Sequence, residues 1–470
     1  MSRGWVLVAG YALSLAALPH LLLAKKRPAS TLAWFWFILL FPFLGTFAYF
    51  ALGADRMKRR RLRRAARKNF PARGETLEAK RLLESHGNGM QYFLRSIATI
   101  NQVPASTATS VRLLIDATHF YPTLEEAIEK AQHHVHIEFF IWRDDATGRR
   151  FRDLLVAAAQ RGVVIRLLLD QIGCLGTPRS FFKPLVEAGG KFFWFYSLPL
   201  HQHIRFLNLR NHRKLQIIDG ALAFVGGMNI GDEYAADGSV EAYWRDVQLE
   251  LKGDVVTQLQ EAFATDWFFA SKEEIVAPEY YGLTEPDGTH LALVISGGPD
   301  LAREPIPKSL VALCTTARQR LWIATGYFCP DLMMLSALQI CAARGVDVRV
   351  IVSEKSDHPW FVQIGRSYYE DLLRFGVRVF EYSAGINHAK TVLLDEDWLM
   401  VGSANSDNRS MRLNFELNVL IQAPSAAAEL ERMMNEDFAA SREITLRDFL
   451  RRPVTRRLLE AALRPLAPFL

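Results

Sequence analysis

His212 and Lys214 stand two residues apart, followed by Asp219, Gly226, Gly227 and Asn229. His388 and Lys390 are followed in the same way by Asp395, Gly402, Ser403 and Asn405. Counted from each histidine, the offsets are +2, +7, +14, +15 and +17 in both segments. An imidazole can attack phosphorus or move a proton near neutral pH. An ammonium two residues away can hold a phosphate oxygen as a point charge. Phosphodiester exchange through a covalent enzyme needs both a nucleophile and an acid, and two such segments facing one another supply both. The small pairs Gly226-Gly227 and Gly402-Ser403 would let backbone approach a phosphate, with Asn229 and Asn405 as further donors. Asp219 and Asp395 complete the two catalytic motifs, although their places at strand ends also suit a turn or an ion pair.

These side chains need a scaffold, and the sequence writes one twice. Past Phe70, short apolar runs alternate with amphipathic stretches, the mark of an α/β fold. Val135–Trp142 and Val163–Asp170 read as strands around a helix at Phe151–Arg161. Arg320–Tyr327 and Val346–Ser353 read as strands around a helix at Leu332–Arg344. The phrase Arg161-Gly162-Val163 returns as Arg344-Gly345-Val346. A duplicated α/β unit explains this, with halves at 76–289 and 290–445 divided near Thr284–Thr289. His and Lys two apart on a strand share a face, and Leu215–Ile218 and Thr391–Leu394 carry each strand on into a core.

The first 75 residues differ in kind. Gly4–Ala24 and Thr31–Gly53 are apolar runs of about membrane-spanning length, joined by a short basic link. Trp34, Trp36, Tyr49 and Phe50 lie toward the ends of the second run, where amphipathic rings suit an interface. Residues 54–75 form a basic linker: Ala54–Lys68 alone carries nine basic residues and one acid. This excess after the second run predicts a hairpin with both ends in the cytoplasm and contact with anionic headgroups. The whole chain carries +6 and this patch +8, so the remainder is about −2. That body does not read as a nucleic-acid-binding surface. The four cysteines are scattered, as in a reducing compartment, and no metal cluster is visible. At the other end, 446–470 reads as a basic amphipathic helix suited to a membrane surface or to packing on the body.

The motifs resemble the phospholipase D superfamily, and the phrases around them resemble bacterial cardiolipin synthases within it. Those phrases are Asn208–Asp219, Phe224–Gly231, Trp244-Arg245-Asp246, Asn387–Thr391 and Gly402–Asn418, and the likeness spans nearly the whole chain. Gly326, before Tyr327-Phe328, departs from it where proline is expected. The resemblance implies two pseudo-symmetric α/β/α halves sharing one active site behind a transmembrane hairpin, in a multi-pass protein of the bacterial inner membrane. It implies a phosphatidyl group carried on one histidine, usually that of the first motif, His212, with His388 as acid and then base. The two-motif pattern by itself does not break that symmetry. Phosphatidylglycerol is the implied substrate, with no cofactor, no metal and a possible homo-oligomer.

A carboxylate beyond each motif should bind a far ring nitrogen and fix the tautomer. Asp246 and Glu416 are the candidates, with Glu416 expected to act on His388. A phospholipase D hydrolase differs only in using water as acceptor. A nuclease would need a more basic body, and a non-catalytic lipid-binding scaffold would not need two intact motifs. Glu138 could line the site, since a carboxylate on a core strand needs a reason. His136, His201 and His203 read as solvated or strand histidines rather than ligands, and the aromatics at 181–196 read mainly as core.

Overall fold

The computed structural model describes residues 3–24, 28–50, 75–196, 209–235, 244–282, 288–301 and 303–469. The basic linker, most of the expected boundary near 284–289, and His201 and His203 lie outside the described residues.

The runs of Val, Ile and Leu that enter the sheets are short, and several are bounded by Gly or Asp, as Val164–Leu169 is between Gly162 and Asp170. Seven strands form the first sheet, in the order Ser110–Ile115, Val247–Lys252, Leu222–Gly226, Leu215–Ile218, His134–Phe139, Val164–Leu169, Lys191–Trp194. The second sheet repeats that order with His290–Gly297, Glu416–Gln422, Trp398–Gly402, Thr391–Leu394, Arg320–Thr325, Asp347–Ser353 and Arg378–Tyr382. It adds one strand at each edge, Ser106–Ala108 and Ser441–Ile444. In both sheets the motif strand pairs antiparallel with the strand after it and with His134–Phe139 or Arg320–Thr325.

The placement of Ser106–Ala108 amends the expected division of the chain. The helices Leu77–Glu84 and Asn88–Asn101 bury Leu83, Phe93, Leu94 and Ile97 in the second core, with Leu293, Ile306 and Leu310. Residues 75–108 therefore build the second half, and the first sheet begins at Ser110. The two halves are also stitched by helices. Asp254–Ser271 packs on strands of both sheets, and so does its counterpart Pro424–Ala439. Phe181, Phe182, Phe192 and Trp194 join the core of the first half, and all four cysteines are free and buried.

The motif acids lie at the far ends of the strands that the motifs lead into. Asp219 has φ +52° and Asp395 φ +50°, left-handed conformations that aspartate tolerates better than most residues. The Asp219 carboxylate accepts from the backbone N–H of Gln132 (2.9 Å), His133 (2.8 Å) and His134 (2.8 Å). Asp395 does the same for Arg318 (3.1 Å), Gln319 (2.8 Å) and Arg320 (3.2 Å). Each acid clamps the start of the neighbouring antiparallel strand, His134–Phe139 or Arg320–Thr325. Five residues of extended chain, roughly 16 Å, separate it from its lysine. The structure thus moves Asp219 and Asp395 out of the catalytic set and into the sheet.

The N-terminal unit is a helical hairpin of Arg3–Leu23, Pro28–Leu40 and Pro42–Ala48, centred on Leu21, Ile38 and Tyr49. Among the described residues no helix is long and apolar enough to cross a membrane. The second apolar run is broken at Phe41 because Pro42 has no N–H to give to Ile38 O. Ser14 Oγ donates to that carbonyl instead, at 3.1 Å. The thirteen residues of Pro28–Leu40 reach only about 20 Å, short of a hydrocarbon layer of about 30 Å. The other terminus is also broken. Pro453 splits the expected single helix at 446–470 into Leu446–Leu450 and Val454–Leu463, and a 3₁₀ segment carrying Pro465 and Pro468 follows at Arg464–Phe469.

Replacing Asp219 by alanine leaves three strand-entry amides without their acceptor and puts a Cβ-bearing residue with no side-chain acceptor at positive φ. We expect a loss of about 2–3 kcal/mol, read as a lower thermal midpoint in detergent, with unchanged turnover per folded molecule at low temperature.

Candidate active site

The chain brings its two motifs together by letting them leave their sheets. Residues 212–214 and 388–390 precede their strands, which start at Leu215 and Thr391. There Asn211 bridges in parallel to Phe415, and Ile386-Asn387 pairs in parallel with Trp244-Arg245. His212 N donates to Phe415 O (2.9 Å), and His388 N donates to Arg245 O (2.7 Å). Each histidine therefore lies beside the residue that follows its partner on the other half. His212 Nδ1 is 3.0 Å from Glu416 Oε2 and 3.1 Å from Ser403 O. His388 Nδ1 is 2.7 Å from Asp246 Oδ2 and 3.2 Å from the Tyr234 hydroxyl. The pairing is crossed, so Glu416 serves His212 rather than His388. The expectation of same-half pairing failed because it followed sequence order, whereas the bridges join opposite halves.

Six ionisable side chains are packed here almost out of water. Lys214, Asp246 and Glu416 are fully buried, and His212, His388 and Lys390 nearly so. Lys214 Nζ donates to His212 O (2.8 Å) and Lys390 Nζ donates to His388 O, which fixes each ammonium beside its own histidine. Burial pushes Lys214 down to about 7 and Lys390 down to about 8, although Glu416 opposes the shift at Lys214 and Asp246 opposes it at Lys390. Burial also lowers His212 to about 4 against the pull of Glu416, and lowers His388 well below its ordinary value with help from Lys390. The two carboxylates differ. Burial carries Asp246 up to about 7. At Glu416 burial is outweighed by His212, Lys214 and the Ser403 hydroxyl, which hold it below the usual range.

The walls are unlike on the two sides. Phe140 stands edge-on to His212 at 4.8 Å and lies 5.3 Å from Lys214 Nζ. Trp244 and Tyr234 ring His388 at 4.9 and 5.8 Å. Gly326, at the place in the second half that Phe140 takes in the first, would bring a Cβ only to 3.3 Å from Asn387 O and 3.5 Å from Asn405 Oδ1. Its loop is held by Thr325 Oγ1 donating to Tyr327 O at 2.8 Å.

Other expected roles are redistributed. Asn229 spends its amide inside the protein, accepting from Ile141 N (3.0 Å) and donating to Tyr234 (3.1 Å). It positions the tyrosine that touches His388 and is not spare for phosphate. Asn405 is buried with Oδ1 unpartnered and remains open to a ligand. The glycines make room for protein, not phosphate. A Cβ on Gly227 would meet Asp246 Oδ1 at 2.2 Å, and one on Gly402 would meet Asn418 Oδ1 at 2.2 Å. Glu138 lies beneath the site, hydrogen-bonded to Asn211 and pushed well above its ordinary range by burial and by Asp266. His136 is a core histidine stacked on Phe263 at 4.8 Å.

Arg213, Tyr234 and Phe140 were not singled out from the sequence. Buried Arg213 donates to Asp266 (2.5 Å), Glu416 O (3.2 Å) and Gly297 O (3.3 Å), tying the first motif to the second half. Its counterpart is Ala389, so a search for matched positions passes over it, as it does for Tyr234 opposite Ser410.

Comparison with known proteins follows the same outline. The family Cardiolipin synthase, PLD-like domain, matches residues 124–267 and 310–438, and the family Phospholipase_D-nuclease N-terminal matches 12–53. Cardiolipin synthase 2 of Bacillus anthracis is 35% identical over 95% of this chain and 88% of its own length. Cardiolipin synthase of Geobacillus sp. (strain WCH70) is 33% identical over 95% and 90%. The chain belongs to the cardiolipin synthase family. In fold alone it is similar to the crystal structure of a phosphatidylserine synthase from Haemophilus influenzae, with TM-score 0.62, 14% identity, 80% of this chain and 100% of that one. The two halves matched by the cardiolipin synthase family contain both motifs and both crossed carboxylates.

The depressed lysines make anion binding sensitive to pH in a defined direction. As pH rises through about 7 to 8, Lys214 and then Lys390 lose their protons in the free protein. Sulfate, whose charge is constant in this range, should therefore bind about tenfold or more weakly at pH 9 than at pH 6. Calorimetric titration at matched ionic strength reads this directly.

Proposed function

We propose that the chain is a cardiolipin synthase that moves a phosphatidyl group from one phosphatidylglycerol to another, with release of glycerol. The observation that carries this reading is the crossed pair of histidine–carboxylate units with two lysines in one buried cluster. His212 Nδ1–H donates to both Glu416 and Ser403 O, so Nε2 keeps its lone pair and faces the phosphorus. Attack forms the P–N bond and breaks the bond to the glycerol oxygen, which takes a proton from His388. The same imidazole then removes the proton from a hydroxyl of the second phosphatidylglycerol. That oxygen attacks phosphorus, cardiolipin leaves, and His212 is restored. Lys214 and Lys390 hold the non-bridging oxygens as negative charge develops.

The environments support this division of labour. Glu416 is held ionised, which suits a carboxylate that keeps a neutral nucleophile in one tautomer. Asp246, carried up to about 7, lets the His388 pair hold an additional proton near neutrality, which suits an acid. The N-terminal helices, with Trp36, Leu40, Phe43, Leu44 and Phe47 exposed, are read as the membrane anchor, and the catalytic halves as cytoplasmic.

Thin-layer analysis of lipids after expression in cells lacking cardiolipin tests the activity. His212→Ala and His388→Ala should each abolish cardiolipin while the protein still fractionates with membrane. Acid-quenched reactions with labelled phosphatidylglycerol, followed by peptide mapping, should place the label on the His212 peptide. Glu416→Gln should slow formation of that adduct by about a hundredfold, and Asp246→Asn should also slow its breakdown. Label on the His388 peptide would reverse the two roles. Activity should persist in chelator, because the lysines supply the positive charge at the phosphate.

A further inference from the structure

The C-terminal helix Val454–Leu463 is turned the wrong way round for a helix that packs on a protein body. At about 100° per residue, Val454, Leu458, Ala462 and Leu459 occupy one arc of roughly 140°, and Glu460 lies opposite. Glu460 is the residue buried, ion-paired to Arg452 at 2.9 Å. The apolar arc faces out instead: Val454 is 65% exposed, Leu458 64% and Leu459 50%. On either side the attachment combines Phe449, Leu463 and Ala467, which pack on the second core, with polar groups. Arg452 lies over the Phe449 ring at 3.6 Å, and Arg464 lies over Tyr368 at 4.4 Å and pairs with Asp371 at 2.8 Å. Burying Glu460 while leaving three large aliphatic side chains in water is unfavourable unless something covers them.

The surroundings identify the cover. Arg456 and Arg457 flank the apolar arc on the helix, Arg447 and Arg451 are exposed in the segment before it, and Asp448 is the only exposed acid from Leu446 to Leu463. An apolar stripe rimmed by arginines matches a bilayer surface bearing anionic phosphates. The helix also connects to the candidate site through its neighbour. The helix packs against Pro359–Arg366, which presents Trp360, 41% exposed. The neighbouring Phe361 ring lies 4.6 Å from Tyr327. Tyr327 in turn donates to Asp357 (2.6 Å), whose charge acts on both His388 and Lys390.

We propose that Val454, Leu458 and Leu459, with Trp360 and the neighbouring arginines, form a docking face that seats the His388 side of the site on an anionic lipid surface. This rests on reading the site as one for membrane lipids, but its test does not require turnover. Because all four native cysteines are buried, Leu458→Cys in the full chain can carry an environment-sensitive fluorophore, with exposed Asn435→Cys as the reference position. In vesicles of phosphatidylcholine with phosphatidylglycerol, the probe at 458 should shift to the blue and be quenched by shallow spin-labelled lipid. The probe at 435 should not respond. Salt near 1 M should weaken the response, since the arginine contribution is screened.

Equal, weak quenching at both positions would overturn the proposal. So would self-quenching between labelled copies that is independent of lipid, which would assign the face to a second copy of the chain. In a catalytic test, Leu458→Glu with Leu459→Glu should slow turnover of long-chain lipid in vesicles by about tenfold or more. The rate on short-chain lipid dispersed as monomers should be unchanged. Loss on both substrates alike would count against docking, while a probe that inserts in an inactive protein would leave docking standing and remove the proposed reaction.

Discussion

Two short parallel bridges govern this molecule: Asn211 to Phe415, and Ile386-Asn387 to Trp244-Arg245. A bridge fixes which residues are opposite, so the next residue on each side is fixed as well. That next pair is a histidine from one half and a carboxylate from the other, at 3.0 and 2.7 Å. Each motif histidine takes its carboxylate from the other half. The site exists only when the halves are docked, and Arg213 and the helices Asp254–Ser271 and Pro424–Ala439 hold them so.

The electrostatic consequence follows from this docking. Two lysines and two carboxylates taken out of water would each cost several kcal/mol if left unpaired. Placed together around two imidazoles, they offset one another, and the site stays near neutral without substrate. The lysines are left with proton affinities close to ambient pH, so an incoming phosphodiester anion both finds and stabilises their charge. The pseudo-symmetry of the backbone does not extend to this chemistry. Ser403 adds a hydroxyl beside Glu416 where Gly227 leaves only room for Asp246, and two aromatic rings, Trp244 and Tyr234, close on His388 where Phe140 alone stands against His212.

The termini show the opposite relation between pattern and packing. At both ends a proline breaks an expected helix, because it cannot donate to the carbonyl four residues before it. At the N-terminus Ser14 takes over that carbonyl and the pieces pack into a hairpin. At the C-terminus the pieces are held by Arg452, Glu460 and Arg464, which leaves the aliphatic face outward. In both places the hydropathy of the sequence describes composition, and the path of the backbone decides what that composition contacts.

Much of the fold was legible because strands and helices obey local rules. The runs at 134–139, 164–169, 215–218, 320–325, 347–353 and 391–394 alternate with helices as their apolar patterning requires. The repeated offsets from His212 and His388 marked the two lysines by arithmetic, and the phrases around the motifs pointed to Asp246 and Glu416. What no local rule contained was the crossing of those carboxylates, since it depends on which half each bridge reaches. The repeat also marked Asp219 and Asn229 at the offsets that Asp395 and Asn405 hold in the second half. Only the folded chain shows Asp219 turned to three amides at the far end of its strand and Asn229 committed to Tyr234. The residue types and intervals fixed the chemistry available to this protein. The docking of two halves decided which side chains face one another, because contacts between distant segments are set by sheet geometry and burial rather than by position in the chain.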